Sequence, residues 1–364
     1  MIKIVFIVST LKKSGPIVVL KNIIKYLDLN KYTPVILTLS EEPAESEKNY
    51  FESQLNTKVI CLGLSRLQGI FFAKKQIKNI LKVMKPDVIH SHGIRADYIC
   101  SALTDYSRKI STLHNYAFED YKMKFGKLKS FIMIFMHYSL IKKAPSMFVV
   151  CSESLYRKYK INQKISLKCI QNGVNLNDYY PVKSKQNIRE KLNIRKKPII
   201  FISVGSLVKL KNIKTTIDAF TLFNKTIENS ALLVIGDGPE RKHLDQTNKN
   251  IFYLGNLENV YEYLQASDIY VSSSLSEGLP NSVMEAMATG LPCVLSDIPA
   301  HHELVGTDKS LIFLEKNASD ACEKFLVALE NKKHYSRASY YNAKNQFSAK
   351  KMSCNYQELY DRLL

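Results

Sequence analysis

Short, almost uninterrupted apolar runs recur along this chain with helix-like stretches between them, and that alternation limits the folds open to it. KIVFIVS (3–9), TPVILTLS (33–40), KVICLG (58–63), DVIHSHG (87–93), KISTLHN (109–115), SMFVVCS (146–152) and SLKCIQNGV (166–174) make a first set. Helical stretches such as 17–29 and 71–85 lie between them. A strand that is apolar on both faces must be covered on both faces, which is the condition of a parallel sheet clad in helices. The polar stretch NLNDYYPVKSKQNIREKLNIRKKP (175–198) then breaks the pattern and reads as a connection. PIIFISVGS (198–206) restarts it, followed by ALLVIGDG (231–238), IFYLGN (251–256), DIYVSSS (268–274), PCVLSD (292–297) and SLIFL (310–314). With 364 residues there is chain enough for two such units, each with its own core. The expectation is an α/β protein of two doubly wound parallel sheets.

Charge is the unusual feature of the composition: 52 Lys and Arg stand against 33 Asp and Glu, a formal net charge of +19. Such an excess suits nucleic acid, an anionic membrane surface or a phosphorylated substrate. No RNA-binding signature or zinc finger is visible, so membrane and phosphate are the favoured readings. The seven cysteines are scattered without a C-x-x-C pair, which argues against a disulfide framework or a zinc site. No apolar run reaches the roughly 18 residues of a spanning helix, and the N-terminus reads as a strand rather than a signal peptide. Cytoplasmic residence is expected. One segment stands apart: 122–145 sets six consecutive apolar residues, Phe131–Met136, between Lys122, Lys124, Lys127, Lys129 and Lys142, Lys143, and stops at Pro145. It suits a helix lying in the interface of an anionic membrane, and equally a core helix with solvated ends.

The chemistry concentrates in EGLPNSVME (277–285), where two glutamates stand eight positions apart between a strand-like run and a helix-like one. Pro280 suits the first helical turn, because its missing N–H is no loss there, and Gly290 is the expected C-cap. The loop 276–281 therefore falls at the carboxyl end of a strand, where a helix start favours a phosphate or diphosphate. Carboxylates on either side of an anion site suit a ligand with hydroxyls flanking a diphosphate, as in a sugar nucleotide. A solvated pair of glutamates is the bland alternative.

This segment resembles the E-x7-E motif of the retaining, GT-B-fold glycosyltransferases of the large glycosyltransferase family 4, and the resemblance covers nearly the whole chain. VGSLVKLKNIKTTIDAF (204–220), LLVIGDGPERKHL (232–244) and 251–297 occur in the family's order, as do SGPIVVLKNI, DVIHSHG, STLHN, VVCSES and IQNGVN in the first half. The resemblance implies two facing Rossmann-like domains with a cleft between them: an acceptor-binding domain over 1–178, a nucleotide-sugar-binding domain over 179–345, and a C-terminal helix over 346–364 crossing back to the first.

It also implies roles. Lys211, the lysine of GSLVKLK (205–211), would touch the donor diphosphate as a point charge, with Gly205 beside it. Many relatives carry arginine right after that glycine; this chain has Ser206, with Lys209 as a nearby substitute. Gly15, in the loop after the first strand, would approach the donor phosphates, although Pro16 stands where relatives often have a second glycine. Gly238 and Leu254 would line the nucleotide side, a tight turn being an equal alternative for the glycine. Glu285 would bond the ribose hydroxyls, while Glu277 and the backbone of Gly278, Leu279, Pro280 and Asn281 hold the donor sugar. His114 would lie near the reaction centre as a catalytic residue with Lys211 and Glu277. His92, at a strand end, is the acceptor-side candidate. His301 and His302 have no assigned role.

No D-x-D occurs in the chain, which argues against a metal-dependent transferase and for protein cations and a helix dipole in the metal's place. No cofactor and no metal are expected beside the nucleotide-sugar co-substrate. The expected reaction is retaining transfer of a sugar, from UDP first and GDP second, to a lipid-linked glycan such as an O-antigen or capsule precursor. The other classes are a degenerate sugar-nucleotide binder, supported by Ser206 and Pro16, a UDP-sugar 2-epimerase, and a basic nucleic-acid binder.

Overall fold

The structure is a computed structural model, and it describes residues 1–65, 68–69, 72–119, 128, 130–131, 133–135, 147–161, 166–194, 198–244 and 247–364. Two compact units share the chain: Met1–Gly173 with Ala349–Leu364, and Val174–Ser348.

The first unit is built on β1 (Ile2–Val8), β2 (Tyr32–Thr38), β3 (Lys58–Cys61), β4 (Val88–His92), β5 (Lys109–Leu113), β6 (Met147–Val150) and β7 (Leu167–Cys169). All pair in parallel in the order β3-β2-β1-β4-β5-β6-β7. Period-2 alternation sends successive side chains of β1 to opposite faces. Ile4, Phe6 and Val8 join a core with Ile23 of the helix Gly15–Lys25 and Met352, Tyr356 and Tyr360 of the helix Ala349–Leu363. Val5 and Ile7 join the opposite core with Ile77 and Leu81 of the helix Ala73–Met84. The C-terminal helix is also held by polar contacts: Tyr32 Oη donates to Asp361 at 2.6 Å, and Ser353 Oγ donates to the Ile23 carbonyl at 2.8 Å.

The second unit carries β8 (Ile199–Val204), β9 (Ser230–Ile235), β10 (Ile251–Gly255), β11 (Ile269–Ser272), β12 (Cys293–Ser296) and β13 (Ile312–Phe313). These too are parallel, in the order β10-β9-β8-β11-β12-β13. Phe201 anchors one face, its ring centroid 4.7 Å from Phe325 and 5.0 Å from Phe223. Truncating a fully buried phenylalanine of this kind costs about 3–5 kcal/mol.

The polar stretch before β8 is tied into this unit. It forms the helix Gln186–Lys191, and Arg189 pairs with Asp268 at 2.6 Å. Lys332 pairs with the same carboxylate at 2.5 Å, and the Ile200 amide donates to it at 2.8 Å. Burial pushes the Asp268 carboxyl up, but the Lys185 and Lys332 ammoniums outweigh it and leave the group below its ordinary range. Among the described residues no helix is long and apolar enough to cross a membrane.

Candidate functional site

In an open parallel sheet the strand order reverses at one point, and there the loops leaving two adjacent strands diverge and open a crevice. In the second unit that point lies between β8 and β11. The loop after β8 carries Gly205 to Lys211, and the loop after β11 carries Ser273 to Pro280. Residues 66 positions apart in sequence are thereby brought together.

Three hydrogen bonds dock these loops. The Leu275 amide donates to the Leu210 carbonyl at 2.8 Å, Ser273 Oγ donates to the Asn212 carbonyl at 2.7 Å, and Ser273 meets Thr216 Oγ1 at 2.8 Å. Lys211 ends a short 3-10 turn and points its ammonium at the Glu277 carboxylate, forming an ion pair. Ser274 Oγ donates to the same carboxylate oxygen at 2.7 Å. The Glu277 side chain is 11% exposed and that of Lys211 27%. Burial pushes the Glu277 carboxyl up, but the Lys211 charge and the bonds from Lys211 and Ser274 overcome it, so the group stays below the usual carboxylate range. Lys209, two residues earlier, faces solvent, as does Ser206.

Past Glu277 the chain buries Gly278, Leu279 and Pro280 and enters the helix Asn281–Ala288. Pro280 is the N-cap, one position ahead of the first helical turn, and its fixed φ of −73° leads the chain in. The positive end of this helix dipole faces the loop. Glu285 lies a turn further in and is half-buried. Gly290 follows the helix end with a φ of +74°, as a C-cap glycine does.

Gly236 and Gly238 serve backbone packing. A Cβ on Gly236 would meet the Gly205 carbonyl oxygen at 2.0 Å, and one on Gly238 the Leu207 carbonyl oxygen at 2.4 Å. Only glycine lets the loop after β9 lie against the loop after β8, where the Leu207 amide donates to the Asp237 carbonyl at 2.9 Å. Leu254 is half-buried on the edge strand β10. A small depression bordered by Gly205, Ser206, Lys211, Ser274 and Ser282 opens beside the ion pair.

In the first unit the reversal lies between β1 and β4. Gly15 opens the helix after β1, with Ser14 extended at the N-cap. Pro16 stands in the first helical turn, where its missing N–H costs no hydrogen bond. His92 ends β4 and His114 follows β5. His92 Nδ1 and His114 Nε2 are 3.1 Å apart and share one hydrogen. Behind them, fully buried His90 bridges Tyr360 Oη at 2.9 Å and Thr112 Oγ1 at 2.8 Å. Burial pushes His114 down to about 4 and His92 well below its ordinary value, so both rings are neutral at physiological pH. Among the described residues His92 Nε2 is buried without a hydrogen-bond partner.

The sequence reading missed His301. It lies wholly inside the second unit, after β12, and contacts Ser272 and Ser296. A histidine two residues past a proline gives no signal of this; only the adjacency of β11 and β12 does. Of the segment 122–145, all six lysines and Pro145 lie outside the described residues, while Leu128, Phe131 and Phe135 are exposed.

Known proteins bear on these sites. The sequence profile described as "Glycosyltransferase Family 4" matches residues 14–178, and that of "Glycosyl transferases group 1" matches residues 184–345. The O-antigen biosynthesis glycosyltransferase WclY of Escherichia coli is 29% identical over 371 residues, covering 99% of this chain and 98% of that protein. The UDP-Gal:alpha-D-GlcNAc-diphosphoundecaprenol alpha-1,3-galactosyltransferase of Escherichia coli is 28% identical over 271 residues, covering 70% of this chain and 69% of its own. The crystal structure of Anabaena HepE in complex with UDP-glucose superposes with a TM-score of 0.82 at 15% identity, covering 100% of both chains, which shows the fold. With both profiles in register over the two parallel-sheet units, the chain belongs to the GT-B-fold glycosyltransferases, with a family 4 region in its first unit and a group 1 region in its second.

Proposed function

We propose that this glycosyltransferase moves a sugar, with retention of anomeric configuration, from a UDP-sugar to a lipid-linked glycan in bacterial surface polysaccharide biosynthesis. The observation that carries the reading is Lys211 beside Glu277 at the strand-order reversal of the second unit, ahead of the helix Asn281–Ala288. A cation and a helix dipole at one point suit the charge that grows on a departing diphosphate. Glu277 then serves the sugar hydroxyls and Glu285 the ribose, and no metal is needed. His114, neutral and fixed by His92, is the reading's further contact to the sugar. In the transfer the bond from the anomeric carbon to the diphosphate oxygen breaks, and the acceptor oxygen bonds to that carbon on the same face. The acceptor's proton passes to the departing diphosphate, so no protein base is consumed.

The acceptor class is supported by relatives named for diphosphoundecaprenol-linked sugars and for O-antigen synthesis. The basic excess and the exposed Leu128, Phe131 and Phe135, spaced three and four residues apart, support reversible docking on an anionic membrane face where such acceptors reside. Thermal-shift measurements against UDP, GDP and ADP test the donor half. A ligand at 100 times its Kd adds about 2.7 kcal/mol, and UDP is the nucleotide expected to do so. Absence of a shift with every nucleoside diphosphate at millimolar concentration defeats the reading.

A further inference from the structure

His301 has no place in the reading above, yet it is among the most enclosed polar side chains of the second unit, at 0% exposure. Its hydrogen bonds can be assigned by counting hydrogens. Nδ1 lies 2.9 Å from the Ser296 carbonyl oxygen, which can only accept, so Nδ1 carries the proton. Burial holds the imidazole at about 4, so Nε2 is a bare acceptor at physiological pH. Nε2 faces Ser272 Oγ at 3.4 Å, and Ser272 Oγ lies 3.3 Å from Ser274 Oγ. Ser274 spends its own hydrogen on the Glu277 carboxylate at 2.7 Å. The route that reaches this serine runs through the main chain: Ser296 Oγ donates to the Ser274 carbonyl at 2.6 Å, and the Ser296 carbonyl in turn accepts from His301. Ser272 has a single hydrogen, which Nε2 takes, so none is left for its contact with Ser274, and the imidazole braces Ser274 from the carbonyl side, through Ser296. Ser272, Ser274 and Ser296 are all buried, so water cannot replace a lost member of the chain.

We infer that His301 is a positioning residue for transfer: through Ser296 and the Ser274 carbonyl it fixes the orientation in which Ser274 holds Glu277 toward the donor sugar. The inference rests on the proposed role of Glu277 and adds what holds that carboxylate once Lys211 turns to the diphosphate. A brace acts on the geometry of the reacting state more than on binding of the nucleotide. Displacing a contact by 1 Å costs roughly 100-fold in rate, and slackening it costs less. His301→Ala is accordingly expected to lower kcat about 10–100-fold with donor KM held within about twofold. Ser274→Ala should do the same. The double variant should fall no further than the worse single one, because both changes cut one chain.

The test joins that kinetic cycle to a measurement that needs no turnover. In protein labelled with 15N-histidine, the His301 signals are identified by their loss in His301→Gln. They should show a neutral ring protonated at Nδ1, and should move in both Glu277→Gln and Ser274→Ala. His301 signals unmoved by Glu277→Gln overturn the brace, as do kinetic losses that multiply independently. Signals that move in a protein that transfers no sugar keep the brace and remove the transferase reading instead. Should His301→Ala fail to fold, Ser296→Ala removes the hydroxyl that holds the Ser274 carbonyl and leaves the main-chain carbonyl that anchors the imidazole. It is expected to lower kcat about 3–10-fold at unchanged donor KM, and full activity there overturns the proposal.

Discussion

Replacing Lys211 with alanine separates what the ion pair does for the fold from what it does for the reaction. The change strands the Glu277 carboxylate, 11% exposed, with the Ser274 hydroxyl still donating to it. Removing one member of a fully buried pair costs about 3–5 kcal/mol. Lys211 is 27% exposed, so water screens part of this, and about 2 kcal/mol is expected for the unit Val174–Ser348. For a unit of that size about 2–4 °C accompanies each kcal/mol, giving a loss of roughly 4–8 °C in its thermal transition. The sign of the pH dependence follows from the two carboxyl environments. In the wild type Glu277 lies below its unfolded value, so its contribution is present at neutral pH and is lost as pH falls through the folded pKa. In Lys211→Ala burial has lost its main opponent, the Ser274 bond remaining, so the group rises above its wild-type position, and destabilisation is present at neutral pH and relieved as pH falls. The gap between the two proteins therefore narrows from pH 7 toward pH 4. Adding Glu277→Gln should restore most of the stability and none of the activity, with turnover in Lys211→Ala itself down about 10²–10³-fold. Melts followed by circular dichroism across that pH range, with initial rates at saturating donor, check each step. A variant as stable as wild type at pH 7, or as active, would falsify the role given to the pair.

Three further outcomes are expected. Glu285→Gln should mainly weaken nucleotide binding and Glu277→Gln mainly lower kcat, measured by calorimetry with UDP beside steady-state kinetics; equal effects on UDP affinity alone contradict the division. Activity should survive excess EDTA, since no D-x-D occurs in the chain, and loss in chelator with recovery in Mg²⁺ or Mn²⁺ refutes metal-free transfer. Co-sedimentation with liposomes should rise with anionic lipid, fall with salt, and drop when Lys127, Lys129, Lys142 and Lys143 become glutamine; protein left in the supernatant at low salt with strongly anionic vesicles disproves docking.

The two sheets were legible because strands buried on both faces must be apolar throughout, and every apolar run named at the outset overlaps one of β1 to β13. Helix bounds were less legible: the stretch 17–29 forms Gly15–Lys25, because Ser14 and Pro16 set the start where periodicity alone does not. Glu277 could be singled out from its own neighbours in sequence. Its pairing with Lys211 could not, since that contact depends on strand order, and the sequence gives β8 and β11 no sign that they are adjacent. His301 was invisible for the same reason. Gly238 was open to two readings, and the backbone clash that a Cβ would cause there and at Gly236 supplies the physical reason for glycine. The polar stretch 175–198 read as a connection, yet Arg189 and Lys185 in it neutralise a carboxylate 6% exposed, which composition does not reveal.

The first unit is assembled from the two ends of the chain, and this governs how the protein is made. On the ribosome β1 to β7 emerge first, but Tyr356 and Tyr360, which complete their core, follow only after all of Val174–Ser348. At roughly 5–20 residues per second, that stretch takes about 10–35 s to synthesise. Throughout that interval one face of the sheet, with the Phe6 and Ile36 side chains on it, lacks its closing helix. The second unit has no such dependence and can close as soon as it is released. Nascent chains of this protein should therefore call on a holding chaperone late rather than early, and a stop codon a few residues before Ala349 should yield aggregation rather than a shortened enzyme.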